Sequence, residues 1–153
     1  MNFDDDDLDN DEFSDEEFQK KRDEVKNHPL RLQAKEILKV VQLLLECIED
    51  ETEREMHGST LLESAYMINA KLEGALGSDS YLVCIQNAAI IRYHAEYVRL
   101  SNHHLSMNEN LDKKHTAVLR SEMEKFRELF IQWAKKIHKM KESNEFDDEW
   151  GLF

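Results

Sequence analysis

Residues 81–105 read YLVCIQNAAIIRYHAEYVRLSNHHL, and the fold turns on what covers this stretch. At about 100° of rotation per residue, a helix here carries Leu82, Val83, Ile90, Tyr93 and Tyr97 away from the face that holds Ala88, so apolar side chains run almost all the way round. A helix that is apolar on most sides is covered on most sides, by other helices or by a second copy of the chain. Polar residues are set into that surface. Arg92, Glu96 and Arg99 fall beside Tyr81, Ile85, Ala88 and Ala95, while Asn87 and His94 line the flank that holds Val98.

Outward from this stretch the text stays helical. Ser78 or Asp79 is placed to cap its start, and Ser101 to Asn110 marks its fading end. Before it, Leu30 to Met56 carries Leu30, Ala34, Ile37, Leu38, Val41, Leu44, Leu45 and Ile48 on one face, and His57-Gly58 reads as its stop. Ser59-Thr60 followed by Glu63 resembles a capping box, and Leu61, Ala65, Ile68, Leu72, Ala75 and Leu76 then form a stripe that ends at Gly77. After it, Leu111 to Lys141 keeps Val118, Leu119, Met123, Phe126, Phe130, Trp133 and Ile137 at helical spacing, with Lys135, Lys136, Lys139 and Lys141 at the C-terminal end of the dipole. Gly and Pro are scarce, and no run of β-branched residues alternates as a strand would. The expectation is an all-α chain: an up-and-down antiparallel four-helix bundle over residues 27–142, with helices at about 30–56, 60–76, 79–105 and 111–141. The second helix would be roughly 26 Å long against about 40 Å for its neighbours. One long side of the bundle would then be partly open, which gives the third helix a surface for a homodimer or a partner helix.

Charge is unevenly spread. Ten carboxylates lie in residues 1–19 and four in residues 144–153; with these fourteen set aside from the net −13, the rest of the chain carries +1. Residues 1–26 are therefore expected to be an acidic, disordered tail and frayed lead-in, broken from the bundle at Asn27-His28-Pro29. Phe3, Leu8, Phe13 and Phe18 recur every five residues among its acids. Residues 143–153 form an acidic-aromatic tip. Its acids would steer association, Trp150 and Phe153 would anchor in pockets, and the terminal carboxylate would meet an Arg. The tip resembles in composition the acidic, Phe-ended tail of bacterial single-stranded DNA-binding proteins, without the Pro beside the final Phe; the resemblance covers only these few residues, and no homology is inferred from it. The expected partner-binding residues are Phe146, Asp147, Asp148, Glu149, Trp150, Leu152 and Phe153.

No motif for chemistry stands out. Glu-x-x-His, the di-metal signature of helical bundles, is absent, and the nearest pattern is Asp112-Lys113-Lys114-His115. His94, Glu96, His115 and Glu122 are the alternative metal- or small-ligand set; the plainer account makes them hydrogen-bonded core and stripe-edge residues. His103-His104 point to different faces, there is no nucleophile elbow, and Gly58, Gly74 and Gly77 lack phosphate-loop spacing. Arg92, Glu96 and Arg99, at i, i+4 and i+7, read as an ion cluster that fixes register on a half-buried face. Nine Lys and Arg against three Glu between residues 113 and 141 supply some basic charge, but acidic tails and the lack of a stacking platform argue against nucleic acid. Cys47 and Cys84 are isolated and suit a reducing compartment, and no apolar run approaches the roughly 18 residues of a membrane span. The sequence thus points to a non-enzymatic, cofactor-free, cytoplasmic interaction module, a homodimer with acidic-aromatic docking ends.

Overall fold

The computed structural model describes residues 9–142 and 149–151, with side chains from residue 15 onward. The chain is all-helical. Among the described residues there are five helices and no strand: α1 (Asp9–Lys26), α2 (Pro29–Glu46), α3 (Glu51–Leu76), α4 (Tyr81–Ser106) and α5 (Lys113–Met140).

Each of the last four helices starts at a side-chain cap. His28 Nδ1 accepts from the Leu30 amide at 3.2 Å, with Pro29 in the first helical turn, where its missing N–H costs nothing. Asp50 Oδ1 accepts from Glu53 N at 2.8 Å, Ser80 Oγ from Val83 N at 3.4 Å, and Asp112 Oδ1 from Lys114 N at 2.9 Å. The four capped helices form a ring in which α2 packs on α3 and α5, and α4 packs on α3 and α5. Polar ties give the directions. Arg31 Nη2 donates to Glu73 Oε1 at 2.6 Å and Asn69 Nδ2 to Ala34 O at 3.0 Å, so α2 and α3 run antiparallel. His94 meets Ser64 and Asn102 donates to Thr116 O, which sets α4 antiparallel to both α3 and α5. Gln33 reaches from α2 to the carboxylate of Glu122 at 2.6 Å. Between the helices lies one core, in which Leu30, Ile37, Leu61, Ile68, Ile91, Leu119 and Phe126 are at most 2% exposed.

Three expectations are corrected. Residues 9–26 are not a disordered lead-in but a fifth helix. Its first nine residues hold six acids and no base, while its second half carries Lys20, Lys21, Arg22 and Lys26, so charge complements the helix dipole along its length. Glu16 and Lys20, and Glu17 and Lys21, also stand in the favourable i, i+4 order. A 2.6 Å ion pair from Lys21 to Asp79 and a contact of Val25 with the Gly77 site moor it to the bundle.

The first long helix does not run to Met56, since α2 stops at Glu46 and Cys47 to Asp50 form the break. Apolar spacing continues through that break because Ile48 is 3% exposed in the loop, where it still fills the core. Arg54 Nε donates to Ile48 O at 3.0 Å and satisfies the carbonyl the broken helix leaves behind. Finally, His57-Gly58 is not a stop, and Ser59-Thr60 is not a cap. Gly58 is buried in mid-α3, where a Cβ would lie 3.5 Å from the Leu45 methyls, and Ser59 Oγ donates back to Glu55 O. At 26 residues α3 matches α4 in length, so the short helix of the bundle is α2, at 18 residues, and not the helix that precedes α4.

Candidate interaction surfaces

With α3 at full length, α4 is covered on one face and bare on the other. The covered face follows an alternating three-four spacing, through Tyr81, Cys84, Ala88, Ile91, Ala95, Val98, Asn102 and Leu105. A second set, Val83, Gln86, Ile90, Tyr93, Tyr97, Leu100 and His104, follows the same spacing on the outer side. It contains no Lys, Arg, Asp or Glu, and Tyr93 and Leu100 are 70% and 66% exposed. Tyr93 also stacks edge-on to His94, whose Nδ1 is 3.1 Å from Ser64 Oγ of α3.

The groove between α4 and α5 is different in character. Its floor is Ala95, Met123, Phe126 and Phe130, and it holds two adjoining hollows of about 270 and 50 Å³. Arg92, Arg99, Arg120 and Arg127 line them, together with Glu96 and Glu124. The expected register cluster lies here, and it is neither complete nor buried. Arg99 donates to Glu96 at 2.7 Å across two half-exposed side chains, while Arg92 makes no ion pair among the described residues. Such a pair contributes about 0–1 kcal/mol and does not lock a register.

The alternative ligand set does not converge. His94 turns toward α3, Glu96 pairs with Arg99 on the groove rim, His115 is exposed at the start of α5, and Glu122 is held on the α2 side by Gln33 and Lys125. Hydrogen bonds from Lys125 and Gln33 hold the Glu122 carboxyl below its usual range, against the opposing effect of burial. Among the described residues, no three His, Cys, Asp or Glu side chains group closely enough for a metal ion. Of the tip, Phe146, Asp147, Asp148, Leu152 and Phe153 lie outside the described residues; Glu149 is exposed, and Trp150 is 89% exposed. Cys84 is buried near the Ala75 carbonyl, its thiol pushed up by burial and by Asp79; Cys47, half-buried, caps α2.

No family model matches the chain, and neither a curated protein nor a solved structure does. Among the described residues no helix is long and apolar enough to cross a membrane. The sequence places Val83, Ile90, Tyr93 and Tyr97 on the outer side of α4; what escaped it was the continuation of that seam to Leu100 and His104, and the contribution of Arg120 and Arg127 to the groove, which depends on the pairing of α4 with α5.

Proposed function

We propose that the chain is a non-enzymatic interaction module of the cytoplasm: an antiparallel four-helix bundle that pairs with a second copy through α4 and docks on protein partners through its acidic-aromatic ends. The observation that carries the pairing is the outer seam. A three-four repeat free of charge is what one helix presents to another, and a soluble monomer gains nothing by exposing it over three heptads. In an antiparallel two-fold pair centred on Tyr93, Ile90 lies opposite the partner's Tyr97, and Gln86 opposite the partner's Leu100.

From Val83 to His104 the seam is about 32 Å long, and at a width of about 12 Å it offers on the order of 400 Å² per copy. A standard interface needs about 800 Å² per partner, so the flanks of α3 and α5 must supply the other half. The expected result is a dissociable dimer. Light scattering at tens of micromolar should give twice the monomer mass, and Tyr93→Glu or Leu100→Glu should return a monomer with unchanged helix content, since both positions are exposed. A wild-type monomer at that concentration refutes the pairing.

A further inference from the structure

Arg92, Glu96 and Arg99 on α4 have a counterpart on α5, where Arg120, Glu124 and Arg127 repeat the same residue types at the same i, i+4 and i+7 spacing. Because the two helices run antiparallel, the groove between them brings the two triplets together head to tail. Arg99 and Arg120 share the hollow of about 270 Å³, and Arg92 and Arg127 share that of about 50 Å³, with Glu96 common to both. Each Glu is engaged by the Arg that follows it on its own helix, Glu96 by Arg99 at 2.7 Å and Glu124 by Arg127 at 3.1 Å. Arg92 and Arg120 form no ion pair among the described residues. Guanidinium thus faces guanidinium at both ends of the groove. Two helices stapled by these residues would set the carboxylate of one opposite the guanidinium of the other; this register sets like against like and leaves the rim at +2. Beneath the rim lie Ala95, Met123, Phe126 and Phe130.

We propose that this groove receives an acidic amphipathic helix of a partner protein, in which two Asp or Glu residues stand seven apart with a large apolar side chain midway between them. The groove lacks one anionic group at each end and a cover for its apolar floor, and such a helix supplies all three. Seven residues of helix span about 10.5 Å and return to nearly the same face, which matches the steps from Arg92 to Arg99 and from Arg120 to Arg127. An extended segment fits less well. At about 3.3 Å per residue it covers that distance in three residues, and side chains three apart point to opposite sides of a strand. Two copies of the chain cannot pair groove to groove, since +2 would meet +2. The outer seam of α4 lies more than a quarter turn around the helix from Arg92 and Arg99, so this inference does not rest on the pairing proposed above.

The test uses the full-length chain and a fluorescein-labelled helical peptide of about 18 Ala and Gln residues, with two Glu seven apart and Leu at the two positions midway, read by fluorescence anisotropy. Saturable binding of one peptide per chain is expected. Arg92→Gln with Arg120→Gln, both exposed, should weaken it about tenfold while far-UV circular dichroism stays unchanged. Moving the second Glu two places along the peptide, onto another face of its helix, should weaken binding by a similar factor, and so should Ser in place of both Leu. Lys135→Gln with Lys139→Gln removes the same charge from the basic end of α5 and should change affinity less than about twofold.

Absence of saturable binding overturns the proposal. So does binding that ignores the Arg pair, the Glu spacing or the Leu residues, or that depends as much on the Lys pair, which would mark attraction to net charge and not to a groove. A peptide of the same composition broken by a central Pro that binds as tightly as the helical one would give the groove to an extended segment. A dimer mass lost from light scattering on Arg92→Gln with Arg120→Gln would give it to a second copy, and either result refutes the assignment to a partner's helix. Pairing through α4 is judged separately by Tyr93→Glu, and its failure leaves the groove as it stands.

Discussion

At the scale of one residue, His28 shows how a chain break becomes a device. Its backbone is extended, and its ring takes the place of the Ser or Asp that usually caps a helix, with Nδ1 accepting from Leu30 N. That bond requires the neutral ring, because a protonated imidazole has no acceptor to offer. Burial, and then the nearby charge of Lys136, hold the His28 pKa below its usual value, so the fold itself favours the capping form. The sign follows from linkage. Above about pH 6.5 the ring is neutral in both states and the cap is intact. As pH falls through that value the unfolded chain takes up the proton first, and stability declines until the lowered folded pKa is passed. Urea denaturation between pH 5 and 7.5 should therefore show a loss on acidification that His28→Asn, a cap that does not titrate, largely removes. His28→Ala should cost about 1 kcal/mol at pH 7.5. A wild-type profile no steeper than that of His28→Asn would refute this role.

At the scale of the element, the boundaries of α2 and α3 mark where sequence and structure part. Helical class and the core stripes of α2, α3 and α5 were legible because each rests on local spacing, whereas the cap of α4 is Ser80 and not the expected Ser78 or Asp79. The Cys47–Asp50 break was not legible. Ile48 keeps the apolar period alive outside any helix, and Asp50 followed by Glu53 is one polar pair among many. Gly58 misled for a related reason: its missing Cβ reads as a stop, whereas its surroundings are Leu45 and a continuous helix. α1 escaped because its stability comes from the order of its charges and not from a buried stripe, Val25 being half-buried and its other described side chains exposed. Gly58 yields a test of this account. An added Cβ would meet the Leu45 methyls at 3.5 Å, an ordinary contact, and would remove the cost of glycine inside a helix. Gly58→Ala should raise stability by about 0.5–1 kcal/mol in urea melts. A loss of that size would mean that α2 and α3 pack more tightly there than the geometry shows.

At the scale of the molecule, stability and solubility are carried by different parts of the chain. Among the described residues the buried core lies between Leu30 and Ile137, and α1 meets the bundle at its foot. The acids lie elsewhere: residues 27–142 hold sixteen Lys and Arg against seventeen Asp and Glu, a net of −1, while the whole chain stands at −13. Net charge far from zero keeps a protein apart from its copies, and a value near zero invites association, most of all where an apolar seam such as that of α4 is exposed. Removal of residues 1–26 and 143–153 should therefore leave the cooperative melt in place, with a Tm shift within about 5 °C, because little buried surface is lost. The same truncation should sharply lower solubility near neutral pH, and Leu100→Glu in the truncated chain should restore part of it by breaking the seam. A truncated chain that fails to fold would show that α1 belongs to the core. One that stays as soluble as the whole would show that the outer seam of α4 is less adhesive than its spacing and exposure imply, and would weaken the case for pairing through it.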